Sequence, residues 1–219
     1  MNISWLGHSA FKIEEKINNE IITVVTDPYD KSIGLRFPKT KADIITVSHY
    51  HGDHSNIVDV KPAGETAPFI IDRPGEYEVK GVFVNGVGSY HDNKEGAERG
   101  KSTMFRIEMN GVSVLHCGDL GTTLSNFQLE KIGEIDIMLI PVGSTYTIGS
   151  KEAAEVVRQV EPRIVIPMHY KIPGVTLNIN DASKFIKEMG NGQEPLAKLK
   201  INKKDLPQEE IKLVVLDKQ

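Results

Sequence analysis

The stretch TVSHYHGDHSN at positions 46–56 places four metal-capable side chains, His49, His51, Asp53 and His54, within six positions. The chain has 7 histidines, and three of them lie here. Imidazole and carboxylate together suit a borderline divalent cation such as zinc. The run ADIITVS just before them is almost continuously apolar, as in a strand buried on both faces. At strand periodicity His49 and His51 are expected to leave that strand on the same side. Asp53 and His54 follow Gly52, where the chain can turn sharply. Four donors in one loop exceed the three that an open catalytic ion takes from the protein, so the loop is expected to serve two ions. A polar loop that only meets solvent or caps a helix would explain one histidine. It does not explain three with an aspartate at this spacing.

A two-ion site needs donors from elsewhere, and three positions fit. His91 ends GVFVNGVGSYHD, Asp119 ends VSVLHCGD and His169 ends RIVIPMHY, beside a final tyrosine or aspartate. Each follows a β-like run, and the ends of several strands are where a rigid scaffold gathers distant side chains. Singly, each has an ordinary alternative: a surface turn for His91, a helix cap for Asp119, a hydrogen-bonded strand-end histidine for His169. Asp27 ends a strand at TDP and could orient a ligand imidazole. Tyr146 and Tyr170 could donate a proton to a leaving group. His116 and Cys117 read as core, and Glu76 and Glu78 as the rim of a hairpin.

The elements that must position these residues are legible in outline. NISWL, AFKIE and IITVVTDP read as strands, followed by PFIID, EYEVKGVFVNGVGSYH and STMFRIEMNGVSVLHCGD. Asn110-Gly111 between alternating apolar residues predicts a tight hairpin. TLSNFQLEKIG and SKEAAEVVRQVEP read as helices, with EIDIMLIPVG and PRIVIPMHY as buried strands between and after them. NDASKFIKEMG reads as a helix with an Asp cap, and EIKLVVLDK as a closing strand. Residues 191–209 read as the loosest segment. Two face-to-face sheets with helices outside would bury all these runs, as one domain over 1–219.

The 219 residues carry a net charge of -4 and a pI near 6.0, which argues against binding nucleic acid by bulk basicity. A single cysteine makes no internal disulfide and suits a reducing compartment. MNISWLGHSAFKIEE shows no secretory leader, and no run of about 18 apolar residues predicts a membrane span. The cytoplasm and a small-molecule substrate are the expectations. The oligomeric state is not written in the sequence.

SHYHGDH, together with His91, the Gly-Asp ending at Asp119 and the Pro-Met-His ending at His169, resembles the metallo-β-lactamase-fold superfamily and its His-x-His-x-Asp-His signature. WLGHSAFKIE, TDP and EAAEVVRQVEPRIVIPMHY are similar to a small branch of zinc-dependent hydrolases related to ascorbate-6-phosphate lactonases. The resemblance runs from residue 1 to about 170. The segment after the signature is shorter here than in the lactonases. The resemblance implies a four-layer αββα sandwich with the site at one edge between the sheets. One ion would take His49, His51 and His91, the other Asp53, His54 and His169, with Asp119 bridging. Asp53 would bind metal and help to orient the attacking water. Two divalent ions are implied, zinc by default, with manganese or iron as options. They would activate water against an ester, lactone or phosphodiester bond. A nucleic-acid-processing phosphodiesterase and a non-catalytic metal-binding module are the alternatives. In related small proteins the loop of His8 approaches the site, which makes this residue a candidate for contact with ligands or substrate. A histidine that ties down the first hairpin is the favoured reading of His8.

Overall fold

The computed structural model describes residues 1–190 and 194–219. Alternation of side chains along the first strands sets the architecture. These are β1 (Asn2–Gly7), β2 (Ala10–Ile17), β3 (Glu20–Thr26), β4 (Thr40–Ala42), β5 (Ile44–Thr46), β6 (Val60–Pro62) and β7 (Phe69–Ile71). Then follow β8 (Gly75–Val79), β9 (Val82–Tyr90), β10 (Lys101–Met109), β11 (Val112–His116), α1 (Asn126–Ile132), β12 (Ile137–Pro141), α2 (Ser150–Val160) and β13 (Ile164–Met168). The chain closes with α3 (Ser183–Glu188), β14 (Leu199–Lys200) and β15 (Lys212–Leu213). One sheet has the order β14-β1-β2-β3-β5-β7, the other β15-β13-β12-β11-β10-β9-β8, and β4 pairs with β6.

In the first sheet, Trp5, Val24 and Ile44 face the main core, while their neighbours Leu6, Val25 and Ile45 face a second, smaller cluster. This is the period of two that a strand imposes. The middle of the second sheet is buried on both faces. Every residue of β12 and β13 is buried, which is why they read as unbroken apolar runs. Its strands β11, β12, β13 and β15 are parallel, and α1 and α2 pack on β9 and β12. Ser125 caps α1 in a reciprocal box with Gln128. The helix α2 buries Ala153, Ala154, Val156 and Val157, and α3 packs on α2.

The result is the expected sandwich, with the helical layer over the first sheet reduced. Among the described residues that face carries no α-helix. Tyr29, Ile33, Leu35, Val60, Val175 and Ile179 cover it, supplied by 3-10 turns at Lys31–Ile33 and Ile57–Asp59, by β6 and by the chain near 175–179. The expected hairpin forms at Asn110 and Gly111, both at positive φ (49° and 71°). The expected Asp cap is one residue off: the helix α3 is capped by Ala182 without a side-chain bond, while Asp181 before it accepts the Ser183 N–H at 2.9 Å in a local turn. The closing strand is shorter than expected. Val214 still donates to Val165, but Gln219 donates to Trp5 of the other sheet, so the chain crosses from one sheet to the other and pairs fully with neither. Of the segment 191–209, residues 191–193 lie outside the described residues.

The strands β1, β3 and β5 run in one direction within their sheet, as do β9, β11 and β13 in theirs. His8, Asp27, the His49–His54 loop, His91, Asp119 and His169 all follow the carboxyl ends of these six strands. Ligand sites of open α/β sheets form outside such ends.

Candidate metal centre

The loop of residues 47–54 is organised by Asp27. The carboxylate of Asp27 accepts from Ser48 N at 2.8 Å and from Ser48 Oγ at 2.5 Å, and also from His54 Nδ1 at 2.9 Å. This bonding corrects one expectation. The strand β5 stops at Thr46 because the Ser48 N–H turns to Asp27, so His49 and His51 lie in the loop rather than on a strand. They converge through a turn, in which His54 N donates to His51 O at 3.0 Å, and not through strand alternation. The outcome is still close: His49 Nε2 lies 2.9 Å from His51 Nδ1, and His49 Nδ1 meets Ser48 Oγ at 3.0 Å.

Asp119 stands at the centre. Its Oδ2 lies 3.3 Å from His54 Nε2, 3.2 Å from His91 Nε2 and 3.3 Å from His169 Nε2. Asp53 Oδ2 lies 3.2 Å from His8 Nε2 and 3.6 Å from His54 Nε2. Three groups of potential ligand atoms fall within 4.8 Å of one another: His49, His51 and His91; His8, Asp53, His54 and His169; and His49, His54 and Asp119. The seven residues expected from the sequence are thus brought together, and His8 joins them.

The site fits cations on its own terms. His54 Nε2 and Asp119 Oδ1 are buried and find no hydrogen-bond partner among the described residues. An unpaired buried polar atom is costly, and a metal ion would satisfy both. Charge tells the same story. Burial, then the charge of His54, pushes His49 down to about 3, and burial, then His169, pushes His8 down to about 4. Burial alone would raise Asp119, but His169 and His54 hold it well below the usual carboxylate range. Burial would lower His54, yet Asp119, Asp27 and Asp53 raise it well above the ordinary imidazole value. The centre therefore demands positive charge, and His8, His49 and His91 are pushed toward the neutral form that a metal ligand needs.

The remaining candidates separate. Asp27 supports His54, as expected of a group that orients a ligand. Tyr146 is 37% exposed and lines a cavity together with His91. Tyr170 is not brought to the cluster; its ring stacks on Trp5 at 4.9 Å within the core, and burial pushes its hydroxyl up. His116 Nε2 donates to the Ser9 carbonyl at 2.7 Å and Nδ1 accepts from Gly118 N at 3.2 Å, so both ring nitrogens are spent on the fold. Cys117 is fully buried, and burial raises its thiol.

Two features escaped the sequence reading. Asp92, next to His91, accepts from the backbone N–H groups of Lys94, Gly96, Glu98 and Arg99 at 2.7 to 3.0 Å. Burial would raise this carboxyl, but those four donors hold it down at about 2. Its signal was an Asp-Asn pair followed by glycines, the composition of a side-chain-capped turn. The second feature is close approach at two glycines. A Cβ on Gly121 would come within 2.2 Å of Asp92 N, and one on Gly143 within 2.1 Å of His169 O. Only glycine lets these loops meet.

Residues 2–169 match the beta-lactamase superfamily domain. A UPF0173 metal-dependent hydrolase of Methanosarcina mazei is 32% identical over 206 residues, covering 78% of this chain and 83% of its own. A UPF0173 metal-dependent hydrolase of Thermococcus onnurineus is 30% identical over 212 residues, 85% of this chain and 92% of its own. A solved structure from Thermotoga maritima, assigned to the Zn-dependent hydrolases of the metallo-beta-lactamase superfamily, is 38% identical. It superposes with a TM-score of 0.78, covering 98% of this chain and 97% of that one. By these matches the chain belongs to the beta-lactamase superfamily domain family and, within it, to the UPF0173 metal-dependent hydrolases.

Proposed function

We propose that the chain hydrolyses an ester, lactone or phosphodiester of a small molecule with a pair of divalent ions, zinc by default and manganese or iron as options. The observation that carries this reading is Asp119 Oδ2, within 3.2 to 3.3 Å of histidines from three separate loops. His91 groups with His49 and His51, and His54 and His169 with Asp53 and His8, each set of potential ligand atoms within 4.8 Å of one another. A bridging carboxylate serves such a pair of positions. Ions held there would supply a nucleophilic water at neutral pH and compensate the negative charge that develops in the transition state.

The chain's own groups have distinct tasks in this reading. The imidazoles of His49, His51, His54, His91 and His169 hold the ions. Asp53 stays ionised, because burial is outweighed by His54 and His8, and its orientation is fixed by the His8 hydrogen bond. It binds and orients rather than serving as a free base. Asp27 turns the Nε2 of His54 toward the centre. Tyr146, which lines a cavity together with His91, is the candidate to give a proton to a leaving group. The net charge of -4 favours a small-molecule substrate over nucleic acid.

The test is a panel of chromogenic substrates, one carboxylic ester, one lactone and one phosphodiester, assayed with metal-replete and chelator-treated protein. Turnover of at least one that disappears on chelation and returns with a divalent ion is expected. Stoichiometric metal binding without turnover of any would favour a non-catalytic metal-binding module.

A further inference from the structure

Beside the metal centre lies a cavity of ≈ 490 Å³ that shares His91 with it. Its wall carries Arg99, Thr122, Thr123, Ser144, Thr145 and Tyr146. We propose that this cavity binds an anionic oxygen group of the substrate, a phosphate or a carboxylate, and that Arg99 determines the specificity for it. The inference rests on the hydrolase reading and names the substrate class of the same site.

Arg99 is the cation of a wall that also carries two carboxylates, Asp92 and Glu152. Arg99 has 36% of its side chain exposed, and its guanidinium meets Glu98 only at 3.8 Å. Glu98 is itself held by Lys94 Nζ at 2.5 Å, so its charge is already balanced. Asp92 also borders the cavity, but its two oxygens are occupied by four backbone N–H groups. Glu152, the remaining carboxylate of the wall, folds back over the start of its own helix, with Oε2 3.1 Å from where a Cβ of Gly149 would stand. The guanidinium, held by Glu98 only at 3.8 Å, keeps N–H donors free for a ligand. Its planar fork matches a carboxylate or a phosphate in two parallel hydrogen bonds.

The geometry is also built rather than incidental. Asp92 follows the ligand His91 directly, and the Arg99 N–H donates to it at 2.7 Å. The loop that carries Arg99 is therefore fixed to the loop that carries a metal ligand. On the opposite wall Ser144 and Thr145 hold φ of 60° and 62°. A β-branched residue in the left-handed region is strained, and such strain persists mainly where a site requires it. These two residues and Tyr146 line the cavity together with Thr122, Thr123 and Thr147. A substrate whose anionic end sits at Arg99 occupies the same cavity as His91.

The experiment compares two esters on the metal-replete protein, neutral 4-nitrophenyl acetate and anionic mono-4-nitrophenyl succinate. The wild-type protein should prefer the anionic ester in kcat/KM by roughly tenfold or more. In Arg99→Ala this ratio should fall toward one, through KM rather than kcat, and Arg99→Lys should restore part of it. Arg158→Ala, an exposed arginine on α2 outside the cavity, should leave the ratio unchanged. A ratio unchanged in Arg99→Ala, or an equal loss on both esters, would overturn the proposal. If neither ester is cleaved, the hydrolase reading loses its ester branch, and calorimetric titration with methylphosphonate decides the inference alone. Roughly tenfold weaker binding to Arg99→Ala is then expected, and equal binding would refute it.

Discussion

Asp119 and His8 define the residue scale, one placed as the sequence expected of it and the other only in part. Asp119 could have been a mere helix cap, yet its Oδ2 stands between His54, His91 and His169. Asp119→Ala should therefore lose far more metal than His8→Ala, and elemental analysis of the two variants compares them directly. Equal retention would remove the bridging role. Asp27→Ala leaves the buried His54 Nδ1 and both Ser48 donors without their acceptor. It should cost about 1–3 kcal/mol of stability and weaken metal binding by roughly 10- to 100-fold. Thermal melting and titration against a competing chelator measure the two effects. The donor set was legible because residue types and spacing are properties of the chain. His8 was only half legible. It does tie the first hairpin to the fold, since its carbonyl accepts from Trp5 Nε1 at 2.9 Å and from His169 N at 3.0 Å. Its ring, however, also reaches Asp53, 45 positions away. Nothing local in WLGHSA states which way that ring faces.

At the scale of elements, strands with a clean period of two or an unbroken apolar run were legible, as was the Asn110-Gly111 hairpin. The ends of strands were not. The end of β5 is decided by a hydrogen bond from Ser48 to Asp27, just beyond the end of β3, and the closing segment by its passage from one sheet to the other. Contacts between loops were also hidden, although they set the site. Gly121→Ala tests this level. Its Cβ would meet the backbone of Asp92 and His91 within 2.2 to 2.5 Å, and backbone cannot move aside as a side chain can. The loops bearing His91 and Asp119 must then separate. A loss of about 1–3 kcal/mol of stability is expected, together with reduced metal content. Metal content equal to wild type would show that the two loops are independent.

At the scale of the whole molecule, the fold gathers many titratable groups at one edge, and stability must follow pH. Unfolded imidazoles protonate near 6.5, whereas His8 does so at about 4 and His49 at about 3. Their contribution is complete above 6.5 and is lost as pH falls toward those values. His91 and His116 shift in the same direction, chiefly through burial. His54 shifts the other way; its contribution is complete below 6.5 and lost as pH rises through its folded value. With four against one, the melting temperature of metal-free protein should fall between pH 7 and pH 5. Metal-replete protein should fall further, because protons displace the ions as well. A metal-free protein that melts higher at pH 5 than at pH 7 would mean that His54 outweighs the rest.

The central claim is that two ions, held on either side of Asp119, make the chain a hydrolase. Metal-free protein titrated with zinc, with the rate of hydrolysis of the best substrate of the panel followed at pH 7.5, tests it most directly. The rate should rise until about two equivalents per chain are bound and then level off, as expected of a two-metal site. Saturation at one equivalent, or two equivalents bound with no hydrolysis, would contradict it.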